Sequence, residues 1–77
     1  MPTVMRIGAF RVYFFSHEPN EPPHVHVDRG SASIKVWLGP VEAARNHGFR
    51  ADEIGEILGL VGENEARLME AWHEYFG

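Results

Sequence analysis

Three segments in the first half of the chain alternate between apolar and polar residues, as strands with one buried face do. Residues 10–16 are mostly aromatic or β-branched, residues 24–28 carry valine at every second position, and residues 31–38 repeat the alternation. The Arg29-Gly30 pair between the second and third segments is typical of a hairpin turn. The pattern therefore predicts an antiparallel sheet with one apolar and one polar face.

The segments between and after these strands contain turn residues. Three prolines within residues 17–23 fix the backbone and remove hydrogen-bond donors, which predicts an extended loop. Gly39-Pro40 predicts a second turn, and residues 41–46 are interpreted as a fourth strand at the edge of the sheet. A helix is the alternative for residues 42–45.

The last third of the chain has helical periodicity. Apolar residues recur at positions 54, 57, 58 and 61 and again from Leu68 to Phe76, which predicts helices over residues 51–61 and 65–76. Gly62 interrupts the stripe and Asn64 is a candidate cap for the second helix, although one bent helix also fits. Helices this short are marginal alone, so both should pack on the sheet. The expected fold is α+β: a small twisted antiparallel sheet of three to four strands with two C-terminal helices on one face.

Length and composition limit the class of protein. The 77 residues predict a single domain over positions 1–77, mainly β over 1–50 and helical over 51–77. There is no cysteine, so disulfides and thiolate metal sites are ruled out. No stretch approaches the roughly 20 apolar residues of a membrane helix, and the first residues do not resemble an export signal. We therefore expect a cytoplasmic protein that does not enter the membrane.

Charge is unevenly distributed along the chain. Residues 1–50 carry six basic and four acidic side chains, whereas residues 51–77 carry one basic and seven acidic ones. The net charge of −4 with neutral histidines argues against strong nonspecific binding of nucleic acid. Because the basic residues are concentrated in the sheet region, nucleic acid stays open as an alternative ligand of that region.

The polar face of the sheet is where a binding site is expected. If the helices cover the apolar face, the opposite face displays aromatic, basic and histidine side chains, types that dominate protein interfaces. The candidate binding residues are Arg11, Tyr13, Phe15, His24, His26, Lys35 and Trp37.

The His24-Val25-His26 segment also permits site chemistry. Alternation places both imidazoles on one face about 6–7 Å apart, a spacing that two ligands of one metal ion can have. The candidate metal ligands are His24, His26, His17 and Asp28, with Glu21 and His47 as further nearby donors. Alternatively, His24 and His26 could act as the acid and base of a small nuclease. A structural role is the competing interpretation, in which one imidazole donates to the backbone of the proline loop.

Several motifs together resemble a known family. They are the opening Met-Pro-Thr, the strand ending Tyr13-Phe14-Phe15, the string Asn20-Glu21-Pro22-Pro23-His24-Val25-His26-Val27, the strand from Ala32 to Trp37 and the closing Leu68-x-x-x-Trp72. In this order they resemble the short bacterial proteins grouped as domain of unknown function family 4160. Leu38-Gly39-Pro40 departs from the acidic strand end usual in that family.

The resemblance implies a cellular context and no biochemical activity. Such proteins are often encoded beside a second small protein, in arrangements that look like toxin–antitoxin pairs. The resulting prediction is a small bacterial protein-binding module with a protein partner and without a resident cofactor, in preference to an enzyme. A second copy of the chain is an alternative partner.

Overall fold

The computed structural model describes residues 3–14 and 21–76. Within them the strands are β1 (Thr3–Ile7), β2 (Phe10–Tyr13), β3 (His24–Arg29), β4 (Ala32–Trp37) and β5 (Glu42–His47), followed by α1 (Ala51–Glu63) and α2 (Glu65–Phe76). The strands form one antiparallel sheet in the order β1-β2-β3-β4-β5. None of the described helices is long and apolar enough to cross a membrane.

The α+β fold with helices on one face is confirmed, but the described sheet has five strands instead of three or four. The additional strand is β1, which pairs with β2 through a two-residue turn whose first residue, Gly8, has φ 59°. A glycine at positive φ favours the tight turns that join neighbouring antiparallel strands. The strand predicted over residues 10–16 is seen from Phe10 to Tyr13, and residues 15–16 lie outside the described part of the chain.

The region after β4 is a turn followed by an edge strand. The turn at Gly39-Pro40 and the fourth predicted strand are confirmed, and the helical alternative for residues 42–45 is wrong. β5 pairs with β4 along one side, and all six of its residues are exposed. His47 is the last residue of this strand.

The core lies between the helices and one face of the sheet. Val25, Val27 and Val36 on the sheet are at most 1% exposed and belong to the same apolar cluster as Ile57 and Leu68 of the helices. Burial of these side chains supplies the main stabilisation that a short chain without disulfides has available. The other face, away from this core, is called the open face below; α2 reaches one end of it, where Trp72 contacts His24.

The two predicted helices are confirmed, and Asn64 separates them. The expected cap works differently from the prediction, because the Asn64 side-chain amide donates to the carbonyl oxygen of Leu60 at 2.8 Å. The Asn64 side chain therefore provides a donor to a backbone carbonyl at the end of α1. The backbone carbonyl of Asn64 accepts a hydrogen bond from the Leu68 N–H in the first turn of α2.

Candidate functional site

The strand register arranges the side chains of the open face in rows across the sheet. The central row runs through Tyr13, His26, Lys35 and Arg45 on β2 to β5. The next row runs through Arg11, Asp28, Ser33 and His47. A third row, at the other end of β3 and β4, contains His24, Trp37 and Glu42. The register thus groups polar, basic and aromatic side chains that are distant in the sequence.

A groove lies on the open face above β3, β4 and β5. It has a volume of about 580 Å³ and is lined by Glu21, His26, Ser33, Lys35, Trp37, Ala44, Arg45 and His47. We call it the β3–β5 groove. Lys35 and Arg45 are cationic, and Glu21 is the carboxylate that the described part of the chain contributes to the lining, beside His26 and His47.

Two cations stand opposite each other in this groove. Lys35 and Arg45 are register partners on β4 and β5, where Cβ atoms are typically about 4.5–5.5 Å apart and like charges repel. The carboxylate of Glu21 forms an ion pair with the Lys35 ammonium and offsets this repulsion. Arg45 is exposed and makes no ion pair within residues 3–14 and 21–76. The groove therefore holds one cation paired with a carboxylate beside one, Arg45, that has no ion-pair partner among the described residues.

Trp37 forms the aromatic wall of the groove. The Lys35 Nζ lies over the Trp37 ring, 4.5 Å from its centroid, in a cation–π contact. The ring of His24 meets the same indole edge-on, with centroids 5.5 Å apart. Trp37 is half-buried, so part of the indole is available for contact with a ligand.

An irregularity in β5 places Arg45 in this groove. Lys35 pairs with Arg45 and Val36 pairs with Ala43, so two residue steps on β5 match one step on β4. Ala44 is the extra residue, as in a β-bulge. Beyond the bulge, alternation puts Arg45 and His47 beside Lys35 and Ser33 on the open face.

Tyr13 lies on the open face but is buried, contrary to the expectation of an exposed binding residue. Its side chain is 5% exposed, because the Arg11 guanidinium covers the ring at 4.6 Å and the His26 ring stacks on it at 5.4 Å. The phenol donates a hydrogen bond to the Asp28 carboxylate at 3.1 Å. Burial first, and then the bond to Asp28, raise the pKa of Tyr13 above its usual value of 10.0.

His24 also lies in the interior, and the expectation of an exposed imidazole is wrong. It is 0% exposed, and its ring packs against Trp72 of α2 with centroids 5.0 Å apart. Its Nδ1 is 3.0 Å from the carbonyl oxygen of Pro22. A carbonyl only accepts, so Nδ1 carries the proton and donates to the proline loop. This contact corresponds to the structural interpretation of the two-histidine segment.

The candidate metal ligands are not gathered around one point. Within residues 3–14 and 21–76, no three histidine, aspartate or glutamate side chains lie close enough together to hold a metal ion. Asp28 accepts from Tyr13, and the Nδ1 of His24 donates to Pro22, so both groups have other partners. His17 and Phe15 lie outside the described residues.

Sequence reasoning missed Arg45 as a site residue and considered Glu21 and His47 only as metal donors. Once residues 41–46 are interpreted as a strand, alternation alone would have placed Arg45 and His47 on one face. Which face that is depends on the bulge at Ala44, which no turn residue in the sequence marks. Glu21 has no such signal, because it reaches the groove from the loop before β3.

The structure thus defines a small α+β protein with a cationic groove on the open face of its sheet. The model of the family described as "Domain of unknown function (DUF4160)" matches residues 9–73 of the 77. The chain belongs to this family, which confirms the resemblance carried by the Pro22 to Val27 string. Neither a curated protein nor a solved structure matches the chain.

Proposed function

We propose that this protein is a binding module that holds a protein partner in the β3–β5 groove of its open face. The observation that carries the proposal is the convergence of Trp37, Arg45 and Lys35 in one groove, with His26 and His47 beside them. Tryptophan and arginine are the residue types that most often dominate the energetics of protein interfaces. The apolar core between the helices and the sheet lies on the opposite face, and the groove lies on the accessible side of the sheet.

The binding residues differ from the set that alternation predicted. Tyr13 and His24 are buried and contact the groove residues His26 and Trp37, respectively, while Lys35 and Trp37 line the groove directly. Arg45 joins them through the register of β5. The proposed contact residues are therefore His26, Lys35, Trp37, Arg45 and His47.

The proposed context is a two-protein module of the toxin–antitoxin type, in a bacterial cytoplasm. This part of the proposal rests on the gene arrangements that the family resemblance implies. In such a module the groove holds the protein encoded next to this one. Co-expression of the two proteins tests it, because growth arrest by one and its relief by the other are expected.

The alternative of a nuclease or metal site on His24 and His26 receives less support. Acid–base catalysis requires both imidazoles to reach a substrate, and His24 is 0% exposed with its Nδ1 held by Pro22. The geometry therefore favours binding at the groove over chemistry at the histidine pair.

Quantitative affinity capture from the source cells tests the groove as the binding site. The bait proteins are the wild type, Trp37→Ala, Arg45→Ala and, as the control on α2, Arg67→Ala. A partner that is retained by the wild type and Arg67→Ala and lost by both groove variants supports the proposal. Equal capture by all four baits contradicts it. If the captured protein is a second copy of this chain, the groove is assigned to self-association.

A further inference from the structure

The β3–β5 groove already binds a carboxylate from its own chain. Glu21 Oε1 pairs with the Lys35 ammonium and lies 3.9 Å from His24 Nδ1. The Glu21 side chain is 40% exposed and the Lys35 side chain is 19% exposed, so the carboxylate is the more accessible partner of the pair. Glu21 thus occupies the position that a carboxylate from outside the chain would take.

We infer that the groove recognises an acidic protein segment, whose carboxylates bind Arg45 and replace Glu21 on Lys35. This inference rests on the proposed function and adds the chemistry of the partner. Arg45 is exposed and without an ion pair among the described residues, and a guanidinium binds a carboxylate through two parallel hydrogen bonds. A segment with closely spaced acids would satisfy Arg45 and Lys35 together.

The state of Trp37 favours an acidic segment over single-stranded nucleic acid. Base stacking requires an accessible ring face, and Lys35 covers one face of Trp37 at 4.5 Å while His24 meets the ring at 5.5 Å. The net charge of −4 opposes both kinds of polyanion, so it does not distinguish between them. A peptide carboxylate needs only the cations of the groove and no free ring face.

Glu21 then acts as an internal competitor. Replacing Glu21 with glutamine keeps the size of the side chain and removes its charge, so Lys35 becomes available to an external acid. The same change leaves Lys35 and Arg45 facing each other without an anion, which strengthens the attraction of the groove for one. Arg45→Ala has the opposite effect, because it removes the cation that forms no ion pair with another described residue.

An NMR titration with synthetic peptides tests the inference. The probe is an octaglutamate peptide, with octaglutamine as the neutral control and an eight-residue oligouridylate as the nucleic-acid control. The two indole N–H signals give an internal comparison, since Trp37 lines the groove and Trp72 is 4% exposed in the core. Spectra of the wild type, Glu21→Gln, Arg45→Ala and Arg67→Ala also report whether each variant is folded.

We expect octaglutamate to shift the Trp37 indole signal and not that of Trp72. Affinity should rise about twofold to fivefold in Glu21→Gln and fall about threefold or more in Arg45→Ala, as for single exposed ion pairs. Arg67→Ala should bind like the wild type. An unchanged or weakened affinity in Glu21→Gln, no shift of Trp37, or tighter binding of the oligouridylate at the same signals overturns the inference.

The two proposals can fail separately. If Trp37→Ala and Arg45→Ala lose the captured partner but octaglutamate does not bind, the acidic chemistry is wrong and the binding module stands. If octaglutamate binds as expected while partner capture is equal in all variants, the groove binds acids but is not the partner site.

Discussion

Two polar side chains of the open face, Tyr13 and His24, have a structural role because neighbouring side chains bury them. Tyr13 lies beneath Arg11 and His26 and donates to Asp28, and His24 lies among aromatic rings and donates to Pro22. Hydrogen bonds of buried polar groups are costly to lose, because the remaining partner keeps its desolvation penalty. Both residues should therefore affect stability more than binding.

Tyr13→Phe should lower the free energy of unfolding by about 1–2 kcal/mol at pH 7, since it removes the hydrogen bond to Asp28 and keeps the ring. Urea denaturation of the wild type and the variant measures this difference. Tyr75→Phe is the matched control, because Tyr75 is 50% exposed. Equal losses in both variants would contradict a specific role of the Tyr13 hydroxyl.

The Tyr13 contribution should also depend on pH in one direction. Its pKa is raised in the folded state above 10.0, so the folded chain keeps the phenol proton to higher pH than the unfolded chain does. The stabilisation is complete below about pH 10 and decreases as pH rises from there through the folded pKa. The stability difference between wild type and Tyr13→Phe should therefore shrink above pH 10, and a difference that grows there would contradict the assignment.

His24→Ala should destabilise the protein by about 2–4 kcal/mol, because it leaves a cavity beside Trp72 and removes the donor to Pro22. The control is His73→Ala, an exposed position on α2 where the change should stay within about 0.5 kcal/mol. The denaturation midpoint measures both. A His24→Ala variant as stable as the control would contradict the structural role of His24 and make it a candidate contact residue again.

At the level of elements, the start of α1 joins the helix to the sheet. The Glu53 carboxylate accepts from the Arg50 backbone N–H at 2.8 Å and also pairs with the Arg29 guanidinium at the end of β3. An acid in the first helical turn satisfies a donor and faces the positive end of the helix. One side chain thus fixes both the beginning of α1 and its position over the sheet.

Glu53→Ala should lower the free energy of unfolding by about 1 kcal/mol, the usual loss for a helix cap, with a further small loss from the half-exposed pair to Arg29. Glu56→Ala is the control on the same helix, because Glu56 is exposed. Parallel urea titrations compare the two. If Glu56→Ala is as destabilising, the effect comes from general charge and not from the cap.

The elements differ in how well their sequences predict them. β3 and β4 alternate cleanly because each has neighbours on both sides and one buried face, and α1 and α2 carry apolar stripes for the same reason. β1 was missed because its sequence, Thr3-Val4-Met5-Arg6-Ile7, does not alternate between polar and apolar residues, and its register with β2 is irregular between Thr3 and Met5. The burial of Tyr13 and His24 could not be predicted, since the rings that cover them come from other elements.

At the scale of the whole molecule, charge is separated between the two faces. The helical region carries seven of the eleven acidic residues, and the lining of the groove on the open face includes Lys35, Arg45, two histidines and Glu21. The sequence showed this separation along the chain. The charged side chains meet in one groove because of the register of β5 and the position of Glu21 before β3. Neither of these can be derived from the order of charges along the chain.

Site-specific photo-crosslinking in the source cells tests most directly whether a partner occupies the β3–β5 groove. A photoreactive phenylalanine analogue replaces either the exposed His47, which lines the groove, or the exposed Glu56 on α1. The account predicts one defined protein adduct from position 47, its loss when Arg45→Ala is added, and no such adduct from position 56. An adduct that forms equally at both positions, or only at position 56, would contradict it.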